Sequence, residues 1–112
     1  MNDLQIAEII IEVVAKAGGL KDTRPLTGRR THPHLVKLRD TARYLIRQQT
    51  GLSLPAIGKL FHQDHSSVHA AIAKEGERIR RGLKHPGTGL TWVEWHKKLL
   101  AIVDERLVEV SE

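Results

Sequence analysis

SLPAIGKLFHQDHSSV, residues 53–68, is the stretch of the sequence that predicts the fold. Ser53 suits the N-cap of a short helix, and Pro55 falls in its first turn, where the missing N–H of proline costs nothing. A three-residue connection follows, and Asp64 can cap the next helix. Two short helices joined by so tight a turn are typical of a helix-turn-helix.

The opening of the second helix carries the candidate base-reading residues. In a helix-turn-helix the first turn of the second helix enters the major groove of DNA. Here that turn holds Asp64, His65, Ser66 and Ser67. The imidazole and hydroxyl groups can donate to and accept from base edges, and the carboxylate can accept from a cytosine amine. The apolar period of the same helix predicts these inward residues: Val68, Ile72, Ile79 and Leu83.

The segment before residue 53 predicts a longer helix that begins near Pro33, with Thr31 or His32 as its cap. Its buried stripe is expected to consist of Leu35, Leu38, Ala42, Leu45 and Ile46.

Three arginines follow the helical repeat of this predicted helix. Arg39, Arg43 and Arg47 stand at i, i+4 and i+8, a spacing that stacks their guanidinium groups on one face. Like charges placed in this way repel one another, and a phosphate backbone would relieve the repulsion. The alternative is that a carboxylate such as Asp40 neutralises the row.

The N-terminal third predicts one helix and one loop. Residues 4–17 have apolar side chains at helical spacing, with Asp3 as the predicted cap and Gly18-Gly19 as the stop. Residues 20–32 combine turn-forming residues with cations, a composition that predicts a basic loop with neither a long helix nor a core.

The C-terminal segment predicts a last helix over about residues 91–110. Its broad apolar stripe contains Trp92, Trp95, Leu99, Leu100, Ile102, Val103, Leu107 and Val110. Packing of this helix on the rest of the chain is the first interpretation. A homodimer or protein-partner interface anchored by the two tryptophans is the alternative. We therefore expect a DNA-binding domain over residues 1–85 and, over residues 86–112, a C-terminal helix that packs on that domain or forms an interface.

Composition and charge limit the possible classes of protein. The chain has 112 residues, 40% of them hydrophobic and 28% charged, which allows one domain with a modest core and excludes a large multi-domain enzyme. The net charge of +5 is uneven: residues 21–50 carry +6 and residues 51–85 carry +3, whereas each terminal segment carries −2. A basic middle indicates a polyanionic partner such as nucleic acid. A merely solvated basic surface is the alternative.

Several other classes are not expected. No apolar run reaches the roughly 18 residues of a membrane span, so no membrane association is predicted. We see no secretory signal, which favours the cytoplasm. Cysteine is absent, which excludes disulfides and thiolate metal sites. His65 and His69 have the i, i+4 spacing of zinc-binding helices but lack the HExxH glutamate, so neither a metal nor a cofactor is predicted.

The central motifs resemble a known family. YLIR at 44–47 with Thr50, then SLPxIGxxF from 53, then DHSSVHAA from 64, are similar to the C-terminal DNA-binding domain of the bacterial replication initiator DnaA. The resemblance implies an all-α, compact multi-helix domain with a helix-turn-helix of the DnaA C-terminal, Trp-repressor-like type. It also implies double-stranded DNA as the partner.

The resemblance assigns roles residue by residue. It places Asp64 to Ser67 against the bases and implies a loop arginine in the minor groove, with Arg30 as first choice and Arg29 as second. It implies phosphate contacts for Arg39 and Arg47, and for the start of the Ser53 helix around Leu54. Arg43 has no counterpart in the family and enters the DNA-binding set through its spacing alone.

The chain departs from the family pattern at several positions. Ser66 and Ser67 replace two family threonines and lack the methyl group that packs on thymine, so we expect recognition of the family's site to be shifted or weakened. Asp40 replaces a common glutamine and would repel a nearby phosphate. Gly58-Lys59 is not followed by Ser or Thr and lacks the first glycine of a nucleotide loop, so we expect no ATPase or other enzyme activity.

The predicted function is sequence-specific binding of duplex DNA in replication or transcription regulation. The alternative is a protein-interaction module of replication or regulatory complexes that uses the tryptophan-bearing helix.

Overall fold

The computed structural model describes residues 1–28 and 32–111. Within these residues the chain is helical throughout its regular elements, which confirms the predicted all-α class. The helices are α1 (Asp3–Ala17), α2 (Arg24–Thr27), α3 (Pro33–Gln49), α4 (Leu54–Leu60), α5 (His65–Arg80) and α6 (Trp92–Ser111).

The sequence predicts Asp3 as the cap of α1, but the cap is Asn2. The Asn2 side chain accepts from the Gln5 N–H at 2.8 Å, and the Gln5 side chain accepts from the Asn2 N–H at 3.0 Å. This reciprocal pair is a capping box, which satisfies two N–H groups at once. Asp3 is thereby left to accept from the Gly51 N–H at 3.0 Å, which ties α1 to the end of α3.

The basic segment between α1 and α3 contributes to the core, contrary to the prediction. Pro25 lies in the first turn of the four-residue helix α2, and the Leu26 side chain is fully buried. Leu20 also packs against the core, and carbonyl groups of the segment accept hydrogen bonds from α3. The Arg39 guanidinium donates to the Leu26 carbonyl at 2.6 Å and to the Pro25 carbonyl at 2.9 Å.

Helix α3 follows its prediction closely. His32 is the cap and accepts from the His34 N–H at 3.2 Å, while Pro33 opens the helix. The predicted stripe is buried at every position, and it meets residues from α1, α4, α5 and α6 in one core. The fully buried core residues outside α3 include Ile10, Val14, Ile57, Phe61, Val68 and Leu99.

Helix α6 packs against α1 and completes this core. Trp92 and Trp95 are 2% and 4% exposed, and Leu99 and Val103 are also buried. The Arg106 guanidinium donates to the Glu12 carboxylate at 2.8 Å, which adds an ion pair between the two helices. Val110, which the stripe had included, is 58% exposed because α6 extends past the end of its packing surface. Buried tryptophans cannot anchor a partner from this position.

Candidate nucleic-acid interface

Helices α4 and α5 form a helix-turn-helix. Ser53 caps α4 by accepting from the Ala56 N–H at 3.2 Å, and Pro55 lies in the first turn. The two helices pack through Ile57, Phe61 and Val68, none of which is exposed to solvent. This apolar contact fixes the angle between them and leaves their outer faces in water.

The turn between α4 and α5 depends on two residues with special backbone requirements. The Gln63 N–H donates to the Gly58 carbonyl at 2.9 Å. This approach is so close that a Cβ atom at Gly58 would lie 2.3 Å from the Gln63 carbonyl oxygen. His62 has φ of +55°, a left-handed conformation in which a non-glycine residue is uncommon. Residues 61–64 can therefore reverse the chain within one tight connection.

The first turn of α5 presents polar groups to solvent. Asp64 is the cap, and its carboxylate accepts from the Ser67 N–H at 2.8 Å. Asp64, His65, Ser66 and Ser67 are all exposed, whereas the next residue, Val68, is fully buried. The buried valine holds the turn on the core while the four polar side chains stand at the surface. Leu83, predicted to point inward, is exposed beyond the end of α5.

The hydrogen bond from the Ser67 N–H lowers the pKa of Asp64. A lowered folded-state pKa stabilises the fold above the unfolded-state pKa, near 4, and this stabilisation is lost as the pH falls through the folded-state value. Asp64→Asn keeps a good cap but removes the titration. We expect similar urea midpoints for wild type and variant at pH 7 and a larger acid-induced fall for the wild type. Parallel falls between pH 7 and pH 3 would contradict this role.

Two of the three arginines predicted to form an exposed row are buried. Arg39 and Arg43 are each 3% exposed. Arg39 donates to the carbonyl groups of α2, as described above, and Arg43 donates to the Asp40 carboxylate at 3.1 Å and to the Gln63 side chain. Helix α2 and the turn cover this face of α3, so the exposed row is wrong at both positions. The alternative of neutralisation by Asp40 holds for Arg43.

Arg47 is exposed and lies next to the start of α4. Its guanidinium donates to the Leu52 carbonyl at 2.8 Å, which places a positive charge beside the residues that cap α4. Ser53 is exposed and Leu54 is half-buried. The structure therefore brings together three of the residues predicted to face phosphate. Arg29 and Arg30, the predicted minor-groove residues, lie outside the described residues.

A buried polar cluster was missed by the sequence analysis. Asp40, expected to face a phosphate, is buried and paired with the guanidinium groups of Arg43 and Arg78. Glu75 is 0% exposed and His96 is also buried. The spacing of Val68, Ala71 and Glu75 on the inner face of α5 contained a signal, because a charged residue stands there at a core position.

Burial and hydrogen-bonded pairing shift the pKa values of this cluster in opposite directions. Burial raises the pKa of Asp40, although the hydrogen bond from Arg78 opposes the rise. Burial lowers the pKa of Arg43. For Arg78 burial also acts to lower the pKa, but the hydrogen bonds to Asp40 and Glu75 outweigh it, and the pKa is raised. These groups are held in the core by their partners and are not displayed to a ligand.

The described residues contain neither a candidate metal site nor a candidate membrane span. Across residues 1–28 and 32–111, no three His, Asp or Glu side chains come together in a way that could hold a metal ion. Among the helices of that described part, none combines the length and the apolar character needed to cross a bilayer.

Known proteins similar to this chain share the helix-turn-helix region. Three relatives are chromosomal replication initiator proteins DnaA. The protein from a Picosynechococcus species is 35% identical over 78 residues, which are 69% of this chain and 17% of that protein. The Deinococcus radiodurans protein is 36% identical over 76 residues, or 68% and 16%. The Thermus thermophilus protein is 45% identical over 80 residues, or 66% and 18%.

The chain thus spans less than a fifth of the length of these relatives. Residues 7–74 match the family described as the bacterial DnaA protein helix-turn-helix, a range that includes α4 and the exposed first turn of α5. The segment that carries α6 lies beyond this match. On the strength of the motif, the helix-turn-helix geometry and this match, the chain belongs to the bacterial DnaA helix-turn-helix family.

Proposed function

We propose that this chain binds duplex DNA in a sequence-specific manner, with the first turn of α5 in the major groove. The observation that carries the proposal is the exposure of Asp64, His65, Ser66 and Ser67 on a turn that the buried Val68 holds in place. Base readout requires polar groups that are rigidly presented and not already used within the protein. His65 and Ser66 stand exposed in this turn, whereas the N–H and the hydroxyl of Ser67 both hydrogen-bond to Asp64.

The proposed phosphate contacts are a revised set. Arg47 and the start of α4 at Ser53 and Leu54 face one strand of the duplex, and Arg29 and Arg30 contact a minor groove. Lys59 on α4 is exposed and adds a positive charge to the same helix-turn-helix. Arg39 and Arg43 are excluded from direct contact because their guanidinium groups are occupied inside the protein.

The proposed biological role is replication or transcription regulation without ATPase activity. The relatives are described as chromosomal replication initiator proteins, which supports a role at a replication origin. The sequence contains no GxxxxGK[ST] nucleotide loop, so this chain is proposed to occupy or regulate a site and not to drive nucleotide-dependent assembly. The expected location is the cytoplasm, in association with the nucleoid. The alternative is a partner-binding module anchored by Trp92 and Trp95. It is less favoured, because both tryptophan side chains are buried.

Selection of bound duplexes from a random pool tests sequence-specific binding directly. We expect the selected duplexes to share one short site, and we expect gel-shift titrations at 50 and 200 mM salt to show weaker binding of all duplexes at the higher salt. A pool that never converges would refute sequence specificity. Absence of binding to any duplex at the lower salt would refute DNA binding altogether.

Arg47→Ala is expected to weaken binding to every duplex alike, because a phosphate contact carries no sequence information. The slope of log K against log salt should become shallower by about 1. The matched control is Arg81→Ala, which removes the same charge at the far end of α5 and should leave the slope unchanged. A loss confined to the selected site would contradict the phosphate role.

A further inference from the structure

A chain of buried and partly buried hydrogen bonds connects α5 to both α3 and α6. The Arg78 guanidinium donates to Asp40 of α3 at 3.0 Å and to Glu75 at 2.9 Å. The second carboxylate oxygen of Glu75 accepts from the Thr41 hydroxyl of α3 and from His96 Nε2 of α6, the latter at 2.7 Å. Glu75 therefore has partners on three helices.

The position of Glu75 is unusual for a carboxylate. It is fully buried on the inner face of α5, where Val68 and Ala71 are its neighbours along the helix. An apolar residue at such a position commonly gives equal or greater stability, because a buried charge must recover its lost hydration. Stability alone therefore does not account for a carboxylate at this position. The hydrogen bonds made by Glu75 have fixed directions, whereas apolar contacts tolerate sliding and rotation of a helix.

Helix α6 reaches α5 through two side chains. Besides the bond from His96, the Trp92 ring lies under the Arg78 guanidinium, which is 5.3 Å from the ring centroid. Both residues fall outside the 7–74 family match, so these contacts are not part of the shared helix-turn-helix. Arg78 is thus held between Asp40 of α3, Glu75 of its own helix and the Trp92 ring of α6.

The geometry of α5 explains why its rotation matters for reading DNA. The helix carries the buried acceptor in its second half and the exposed polar residues in its first turn. A helix with its side chains has a radius of about 5 to 6 Å, so a rotation of about 20° moves each surface side chain by about 2 Å. A hydrogen bond to a base edge tolerates only about 0.5 Å of variation. Rotation of that size would therefore abolish direct readout.

We propose that Glu75 and His96 are positioning residues that fix the rotation of α5, so that α6 is a working part of the base-reading unit. The proposal rests on the proposed function, since it concerns how the same surface selects its sequence. Neither side chain touches DNA. Each acts by holding the first turn of α5 in the orientation that direct readout requires.

The test compares two glutamates of the same helix. Glu75→Gln keeps the shape of the side chain but removes the charge and one acceptor oxygen, so it cannot accept from Arg78 at one end and from Thr41 and His96 at the other. Glu77→Gln makes the same chemical change in the exposed ion pair with Arg80 and is the matched control. Affinities for the selected site and for random duplex are measured at one salt concentration. Amide hydrogen exchange of residues 66–68 is measured in the free protein.

For Glu75→Gln we expect the preference for the selected site to fall about tenfold, affinity for random duplex to stay within about twofold, and exchange at residues 66–68 to rise. Glu77→Gln should change none of these. Unchanged preference in folded Glu75→Gln, or an equal loss on both duplexes, would overturn the positioning role. Unchanged exchange at residues 66–68 would overturn it without reference to DNA.

His96→Ala removes one donor and provides a milder variant should Glu75→Gln fail to fold. We expect a reduced preference, and we expect His96→Gln, whose amide can donate to Glu75, to restore part of it. Equal preference in both His96 variants and wild type would refute the role of α6. A wild-type protein with no preferred site would instead refute the proposed function, and the exchange measurement separates these two failures.

Discussion

His65→Ala is expected to cost about 1 to 3 kcal/mol of binding free energy on the selected duplex, or roughly 5- to 150-fold in affinity, with little change on random DNA. The side chain is exposed in the first turn of α5, and only a correctly placed base offers it a partner. On random duplex the protein is held mainly by phosphate contacts, which the substitution leaves intact. Gel-shift titration with both duplexes at one salt concentration measures the difference.

Ser67→Ala is the companion variant. The substitution removes the bond between the Ser67 hydroxyl and Asp64 but leaves the Ser67 N–H to complete the cap, so we expect α5 to stay folded. We expect a loss on the selected duplex similar in kind to that of His65→Ala. If both variants weaken selected and random duplexes equally while remaining folded, the first turn of α5 does not read bases and the proposed major-groove contact is wrong.

The helix-turn-helix could be predicted because its signals are local. Ser53, Pro55 and Asp64 act within one helical turn of their own positions, and the structure uses each of them as predicted. The exposure of the first turn of α5 follows from the same local periodicity, since Val68 sets the buried face. Local rules also predicted Thr31 or His32 as the cap of α3, and the cap is His32.

The burial of Arg39 and Arg43 could not be predicted in the same way. Helical spacing groups these arginines on one face, but whether that face meets solvent depends on α2 and on the turn at Gln63, which pack there from distant parts of the sequence. The partners of Arg78 and Glu75 are likewise 38 and 34 residues away in α3. The periodicity of a single helix cannot predict hydrogen-bonded partners that lie on another helix.

The middle of the chain remains basic after this correction. Removing Arg39, Arg43 and Asp40 from the exposed charges of residues 21–50 takes away two positive charges and one negative charge, so the segment stays basic. The electrostatic argument for a polyanionic partner therefore depends on the exposed cations, Arg47 among them, and not on a row of three. The buried arginines instead connect α3 to α2 and to the turn before α5.

Gly58→Ala is expected to destabilise the protein by about 1 to 3 kcal/mol, opposite in sign to the usual effect of this change in a helix. Alanine normally stabilises a helix relative to glycine by about 0.5 to 1 kcal/mol. Here the added Cβ would lie 2.3 Å from the Gln63 carbonyl oxygen, a backbone atom that cannot rotate away. Either α4 or the turn must shift, and the position of Asp64 would shift with it. Urea denaturation measures the change.

Gly76→Ala is the matched control, because it makes the same substitution in α5, where the nearest atom to the new Cβ is a Tyr44 ring carbon at an ordinary 3.7 Å. We expect this variant to be more stable than wild type by about 0.5 to 1 kcal/mol. If Gly58→Ala lowers the free energy of unfolding and Gly76→Ala raises it, then the close approach in the turn, and not helix propensity, determines the effect at Gly58. Stabilisation by both substitutions would mean that the turn tolerates a side chain, and that its tightness does not hold α5 in its reading position.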